Sequence, residues 1–177
     1  MCRIPSAGHV FVALGANLPG VAGDPVQTLQ AALVDLGQLS HEPLIVSSFY
    51  QSTPKDCPPG SPLYVNAVAA LQPLHGEEPL SLLKKLQAIE ERHGRRRSGV
   101  PNEARIIDLD LLGFAGVNCA SPILTLPHPR AHERRFVLEP WIEIAGQGWW
   151  LYGKSLGEWL KVCGDPALHR LQPASRG

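Results

Sequence analysis

The sequence predicts an α+β fold, with two helices packed on one face of an antiparallel sheet. Three observations predict it. Short β-branched or alternating runs are bounded by Gly and Pro; two segments carry apolar residues at helical spacing; and these elements follow one another as β-α-β-β-α-β.

His9 to Leu14 is an apolar run closed by Gly15, the pattern of a buried strand. Asp24-Pro25-Val26-Gln27 reads as a helix start, with Asp24 as N-cap, Pro25 at the first helical position and Gln27 placed to complete a capping box. Val26, Leu29, Leu33 and Leu36 then share one face, and Gly37 is placed to end the helix in a left-handed conformation. Leu44 to Tyr50 is a β-branched and aromatic run, the second strand. Residues 53–62 hold four Pro and a Gly, hence a loop of restricted freedom. Tyr64 to Leu71 alternates, with Tyr64, Asn66, Val68 and Ala70 on one face and Val65, Ala67, Ala69 and Leu71 on the other. Pro79 opens a second helix whose stripe is Leu82, Leu83, Leu86 and Ile89 and whose stop is Gly94. Ile106 to Leu112 is the fourth strand. This order matches the ferredoxin-like βαββαβ core. Residues 113–177 read as a C-terminal extension: a turn at Gly113 to Gly116, a proline-bounded segment from Pro122 to Pro140, and a Trp-rich tail whose last residues, Pro173 to Gly177, are expected to fray. No linker or repeat divides the chain, so one domain over 1–177 is expected, with its core at about 9–160.

The 177 residues are 44% hydrophobic, enough for a substantial core and too much for a disordered polymer. Lys plus Arg equals Asp plus Glu at 16 each, which argues against a protein that coats nucleic acid through bulk charge. No apolar run approaches the ~18 residues of a membrane span, and no basic patch followed by an apolar stretch marks a secretory signal. Cys2, Cys57, Cys119 and Cys163 form no CxxC pair, which suits reduced thiols and an expected cytoplasmic location.

The sharpest chemical feature is Asp108-Leu109-Asp110 within a strand. Asp is depleted in strands, and here Ile107, Leu109 and Leu111 face one way while both carboxylates face the other. Strand rise puts their Cα atoms roughly 6.5–7 Å apart. Such a pair repels unless it is neutralised, and a hard divalent cation such as Mg²⁺ is one answer. Ion pairing with nearby Arg, or a solvated strand end, is the other. Arg92, Arg95, Arg96, Arg97 and Arg105 lie just before that strand, interrupted by Gly94 and Gly99. Beside carboxylates and metal, such a loop suits a polyphosphate; by itself it is a solvated basic loop or an RNA contact. His128 is pinned between Pro127 and Pro129 and followed by His132, Arg134, Arg135 and Phe136, a phosphate or base contact or a structural His. Tyr64 and Asn66 share a strand face after Ser52-Thr53-Pro54, a ring and an amide suited to a flat heterocycle, or else a core Tyr and a strand-end Asn. There is no GxxxxGKS/T loop, no GxGxxG and no GxSxG, so a phosphate site must use Arg and metal instead of a glycine cradle.

These stretches, in this order, resemble the 6-hydroxymethyl-7,8-dihydropterin pyrophosphokinase family. The resemblance covers about residues 9–160. It rests on Ala13-Leu14-Gly15-Ala16-Asn17-Leu18, Ser47 through Pro54, Tyr64-Val65-Asn66-Ala67, Ile89-Glu90, Arg105 through Leu112, Leu124 through Pro129 and Arg134 through Leu138. It implies transfer of pyrophosphate from ATP to the pterin alcohol, giving the pterin diphosphate and AMP in folate biosynthesis. Asp108 and Asp110 are implied as ligands of two Mg²⁺ ions. Tyr64 and Phe136 are implied as rings that sandwich the pterin, Asn66 as the reader of its amide edge, with Thr53 and Pro54 beside it. Arg95 and Arg105 are implied as catalytic-loop arginines, and Glu90, Thr125, His128 and Arg134 as nucleotide positions. Small-molecule partners, no nucleic acid, no membrane and a monomeric state are expected.

Six positions depart from the family pattern. Asn102-Glu103-Ala104-Arg105 stands where Trp-Gly-Pro-Arg is frequent, keeping the Arg and losing the Trp. Asp56 and Ser61 stand where an apolar residue and Gln are common, and Pro129 where some members have Tyr. The alternative is a ferredoxin-like RNA-binding module, with Tyr64 and Phe136 stacking bases; the Asp pair and the zero net charge weigh against it. A purely structural domain would leave the acidic strand without a role.

Overall fold

The computed structural model describes residues 5, 8–55, 60–96 and 104–172. Cys2, Cys57, Asp56, Arg97, Gly99, Asn102, Glu103 and the segment Pro173 to Gly177 therefore lie outside the described residues.

In chain order the main elements are β1 (Val10–Ala16), α1 (Pro25–Gly37), β2 (Ile45–Val46), β3 (Tyr50–Ser52), β4 (Tyr64–Leu71), α2 (Pro79–Arg92), β5 (Asp108–Phe114), β6 (Cys119–Ala120), β7 (Thr125–Leu126), α3 (Arg135–Ala145), β8 (Trp150–Leu151), β9 (Lys154–Ser155), α4 (Leu156–Val162) and β10 (His169–Arg170). Among the described residues the main sheet runs β10-β3-β4-β1-β5, with β2 also paired to β4, and every pairing is antiparallel. β1 is thus central, held by β4 on one side and β5 on the other.

The start of α1 follows from four residues. Asp24 Oδ1 accepts from the Gln27 N–H at 2.9 Å, Gln27 Oε1 accepts from the Asp24 N–H at 2.9 Å, and Pro25 occupies the first turn. Gly23 has φ +122°, and a Cβ there would lie 2.0 Å from Gln27 Oε1, so the capping box itself excludes a side chain. The end of α1 departs from expectation. Gly37 is the last helical residue and Gln38 caps it with right-handed angles, its N–H donating to Asp35 and Leu36 carbonyls, so no left-handed glycine is used. The end of α2 does use one: Gly94 has φ +93°. Leu82, Leu86 and Ile89 of α2 are buried, whereas Leu83 is only half-buried.

The second strand is split into β2 and β3. Between them, Ser47 Oγ accepts from the Val68 N–H at 3.0 Å while the Ser47 N–H donates to the Val68 carbonyl at 2.9 Å. A hydroxyl thus replaces a backbone rung, the local competition that Ser brings to a ladder.

Val10, Val12, Leu14 and Ala16 of β1 pack with Val65, Ala67, Ala69 and Leu71 of β4 and with Ile107, Leu109 and Leu111 under α1 and α2. The other sheet face is not left bare, as two helices on one face would imply. Val137, Leu138, Trp141 and Ile144 of α3 cover it, against Phe11, Val68, Ala70 and Leu112. Pro140, read from sequence as a boundary, lies inside α3. Its missing N–H removes one helical bond, to the carbonyl of Phe136, at about 3 kcal/mol. Burial of the apolar face, with several side chains at about 1.5–3 kcal/mol each, offsets that. The Trp-rich tail folds as the β8–β9 ribbon, then α4 with its own Ser155–Glu158 capping box, then β10 on the sheet edge. Cys119 and Cys163 are free thiols. Among the described residues no helix is long and apolar enough to cross a membrane.

Candidate active site

The sheet register explains why the candidate residues meet. Gly15 of β1 pairs with Asn66 of β4 on one side and with Asp108 of β5 on the other; Ala13 pairs with Val68 and Asp110. Asn66 and the two carboxylates therefore share one face of three adjacent strands, separated only by residues with little or no side chain. A Cβ on Gly15 would already sit 3.5 Å from Asn66 Oδ1. Small residues on the central strand open a cleft where α3 begins. Its lining includes Thr53, Tyr64, Asn66, Arg105, Asp108, Asp110, Arg134 and Phe136, and it encloses about 770 Å³ including open solvent.

At one end, Asn66 is 4% exposed and donates through Nδ2 to Ser52 Oγ at 2.9 Å and to the Tyr50 carbonyl at 3.4 Å. These bonds hold the amide plane and orient it within the cleft. Thr53 follows β3 into the cleft wall, and Pro54 lies just behind, in an adjoining depression with Phe136. The Arg134 guanidinium lies 5.7 Å from the centre of the Phe136 ring.

At the other end, both oxygens of Asp108 meet guanidiniums. Arg95 Nη1 donates to Oδ1 at 2.5 Å and Arg105 Nη1 to Oδ2 at 2.7 Å. Arg95 also donates to Glu90 Oε1, the same atom that accepts from the Leu109 N–H at 2.7 Å. Glu90 is 2% exposed, so it stands behind Arg95 and pins it to β5. Asp110 has one ion pair among the described residues, Arg134 Nη1 at 3.5 Å. Desolvation in the cleft and the Asp108 charge push its carboxyl upward, against the pull of His128, Arg134 and Arg105. Burial works against the Arg105 charge, but Asp108, Tyr64 and Asp110 outweigh it and raise that guanidinium further. His128 is lowered by burial and by Arg134, against the attraction of Asp110. Its backbone N–H donates to the Leu112 carbonyl at 2.9 Å, which places the residue beside the acidic strand. Thr125 is exposed on the β6–β7 ribbon and does not line the cleft.

Among the described residues no three His, Cys, Asp or Glu side chains cluster as a metal cage. Two hard carboxylates at one cleft end, with the Asp110 charge poorly compensated, still suit an octahedral cation that takes its other ligands from phosphate oxygens and water.

The structure adds residues to which sequence reasoning gave no role. Asn17, 3% exposed, accepts from the Arg105 N–H at 2.7 Å and donates to the Pro62 carbonyl at 3.3 Å, so it ties Arg105 to the proline loop. Its signal was a lone amide at the end of an apolar strand. Lys55 and Arg130 also line the cleft. Neither stood apart in sequence from ordinary surface cations.

Comparison with known proteins decides the assignment. The family model described as 7,8-dihydro-6-hydroxymethylpterin-pyrophosphokinase (HPPK) matches residues 11–146. The chain belongs to the HPPK family. It is 38% identical over 164 residues to the 2-amino-4-hydroxy-6-hydroxymethyldihydropteridine pyrophosphokinase of Haemophilus influenzae, covering 92% of this chain and 98% of that one. With the enzyme of the same name from Pseudomonas aeruginosa the identity is 38% over 167 residues, covering 94% and 98%. A crystal structure of the HPPK-DHPS protein of Plasmodium falciparum matches with a TM-score of 0.61 at 11% identity, over 86% of this chain and 42% of that one, which bears on fold alone. As an HPPK the chain is an ATP-dependent diphosphokinase, transferring pyrophosphate from ATP to 6-hydroxymethyl-7,8-dihydropterin in folate synthesis. The RNA-binding alternative gains no support from these relatives.

Proposed function

We propose that this HPPK binds the pterin at the Asn66 end of the cleft and the ATP phosphates at the Asp108–Asp110 end. The observation that carries this reading is the register Asn66–Gly15–Asp108 across three strands, which sets a heterocycle-reading amide beside two carboxylates with nothing bulky between. Tyr64 and Phe136 stack on the two pterin faces, Asn66 reads its amide edge, and Thr53 and Pro54 close that edge through their backbone. Arg134 and His128 flank the phosphates beside Asp110, with Thr125 as an outer nucleotide contact on the ribbon leading to His128. Glu90 acts through Arg95 by holding it.

The pterin hydroxymethyl oxygen attacks the β-phosphorus of ATP. A new O–P bond forms, the bond from the β-phosphorus to the oxygen it shares with the α-phosphorus breaks, and AMP leaves with that oxygen. The alcohol proton passes to water. Asp108 and Asp110 would hold Mg²⁺, two ions in this reading, which supplies charge neutralisation and alignment of the phosphates. Arg95 and Arg105, placed on either side of Asp108, turn to the transferring group and stabilise its charge.

The order β5-β1-β4-β3, with α1 and α2 on one face, supports reading the core as ferredoxin-like. In this reading the chain is a single pyrophosphokinase domain, a monomer and cytoplasmic, with its free thiols reduced.

AMP release from ATP, measured with and without the pterin alcohol, tests the reading. Release is expected only when both substrates and Mg²⁺ are present; pterin-independent release would contradict it. Asn66→Ala is expected to raise the pterin KM by about 10²-fold or more, because a site built around a buried polar contact loses it without replacement. If only the ATP KM rose, Asn66 would belong to the other half of the cleft.

A further inference from the structure

The segment after Cys163 lies beyond the residues 11–146 that the family model matches, and the reaction above uses none of it. It nevertheless reaches a depression that adjoins the cleft. β10 pairs with β3 in the register His169↔Gln51 and Arg170↔Tyr50, and β3 ends at Ser52 on the cleft wall. Arg170 Nη2 donates to Glu143 of α3 at 2.9 Å, and the same carboxylate accepts from the Ser48 N–H and the Tyr50 hydroxyl, each at 2.9 Å. One end of the segment is thereby anchored.

Asp165 stands at the other end, its side chain 15% exposed. Its Oδ1 pairs with Lys55 Nζ at 2.7 Å, and its Oδ2 accepts from the Arg135 N–H at 3.1 Å. Arg135 opens α3, and the N-cap residue Arg134 gives that helix no side-chain cap. The first turn of a helix leaves amides without partners, and a carboxylate there is favoured by the hydrogen bond and by the helix dipole together. Asp165 supplies, from 30 residues away, the cap that the local sequence lacks. Lys55 also donates to the Glu133 carbonyl at 3.2 Å. Residues 165–168 wall a second depression of about 430 Å³ that shares Ser52, Thr53, Lys55 and Phe136 with the cleft.

We infer that Asp165 is a positioning residue for the pterin pocket, locking Lys55 of the proline loop to the first turn of α3 and so setting the spacing between Thr53–Pro54 and the Phe136 ring. The inference rests on the pterin-pocket reading above. Asp165 touches no reacting atom. Its influence falls on pterin capture and spares the phosphate end, where Asp108 and Asp110 project from β5 and Arg95 follows the end of α2.

Steady-state kinetics of Asp165→Ala are expected to show a pterin KM raised about tenfold, an ATP KM within about twofold and kcat lowered less than about threefold. Asp165→Asn keeps an acceptor for the Arg135 N–H but loses the ion pair, so a smaller rise in pterin KM is expected. Equal rises for both substrates, or a pterin KM unchanged in both variants, overturns the inference. Should Asp165→Ala not fold, equilibrium pterin titration of Asp165→Asn decides, and an unchanged Kd overturns it. Phe136→Ala run in parallel separates the two levels. A raised pterin KM there beside unchanged Asp165 variants removes only the role of the tail, whereas no effect of Phe136→Ala removes the pocket reading itself.

Discussion

Asp110→Ala is expected to lower turnover by about a thousandfold or more while leaving the fold intact. Asp110 projects from β5 opposite Ala13 and lines the cleft at the end proposed for the phosphates. Its single described ion pair, to Arg134 at 3.5 Å, is weak, and its carboxyl is pushed up by burial and by Asp108. A carboxylate whose folded-state pKa is raised opposes folding at pH above that pKa, so removing it at neutral pH relieves repulsion instead of breaking a needed contact. The thermal midpoint should therefore be unchanged or higher even as activity collapses. That combination separates a metal-holding group from a structural one. Turnover retained within about tenfold would reject the role of Asp110 in holding Mg²⁺, and a lower midpoint would mean that the carboxylate contributes to the folded state.

Arg95→Ala is expected to lower kcat by about 10²–10³-fold with a much smaller change in pterin affinity. Arg95 sits just past the Gly94 stop of α2, 2.5 Å from Asp108 and bonded to the buried Glu90. Without substrate it neutralises the acidic strand. In the proposed reading the same guanidinium turns to the ATP phosphates, where charge builds up in the transition state. In that reading the pterin binds at the opposite end of the cleft, so rate and affinity should separate. Arg95→Lys retains charge but loses the fork that serves Glu90 and Asp108 together, and an intermediate rate is expected. Equal losses in kcat and pterin affinity for Arg95→Ala would make it a simple binding residue.

Much of this arrangement is legible along the chain because its causes are local. The Asp24–Gln27 capping box, Pro25 at the first turn and the Gly94 stop are near-neighbour effects, and they stand as read. The alternation of β4 and the outward pair Asp108 and Asp110 follow from the two-residue period of a strand, which needs no knowledge of the partner strand. Where the local rule met a longer-range competitor, the reading failed. Ser47 replaced a rung of the sheet with its own hydroxyl and split the second strand. Pro140 looked like a boundary because its cost is local, whereas the burial of Trp141 and Leu138 that outweighs it exists only against Phe11 and Leu112.

The chain by itself carried the identities and spacing of the chemical groups: two carboxylates on one strand face, arginines just upstream, an aromatic–amide pair on another strand, and His128 between prolines. Which of those groups become neighbours was decided by packing. Only the antiparallel register put Gly15 and Ala13 between Asn66 and the carboxylates and turned three strand faces into one cleft floor. Only the folding of α3 onto the second face brought Arg134 and Phe136 to its far wall. Only the return of the tail to β3 set Asp165 against Lys55 and Arg135. The physical reason is that hydrogen-bond propensities and side-chain periods act over a few residues, while register and layer contacts depend on the apolar surface that distant segments bury together.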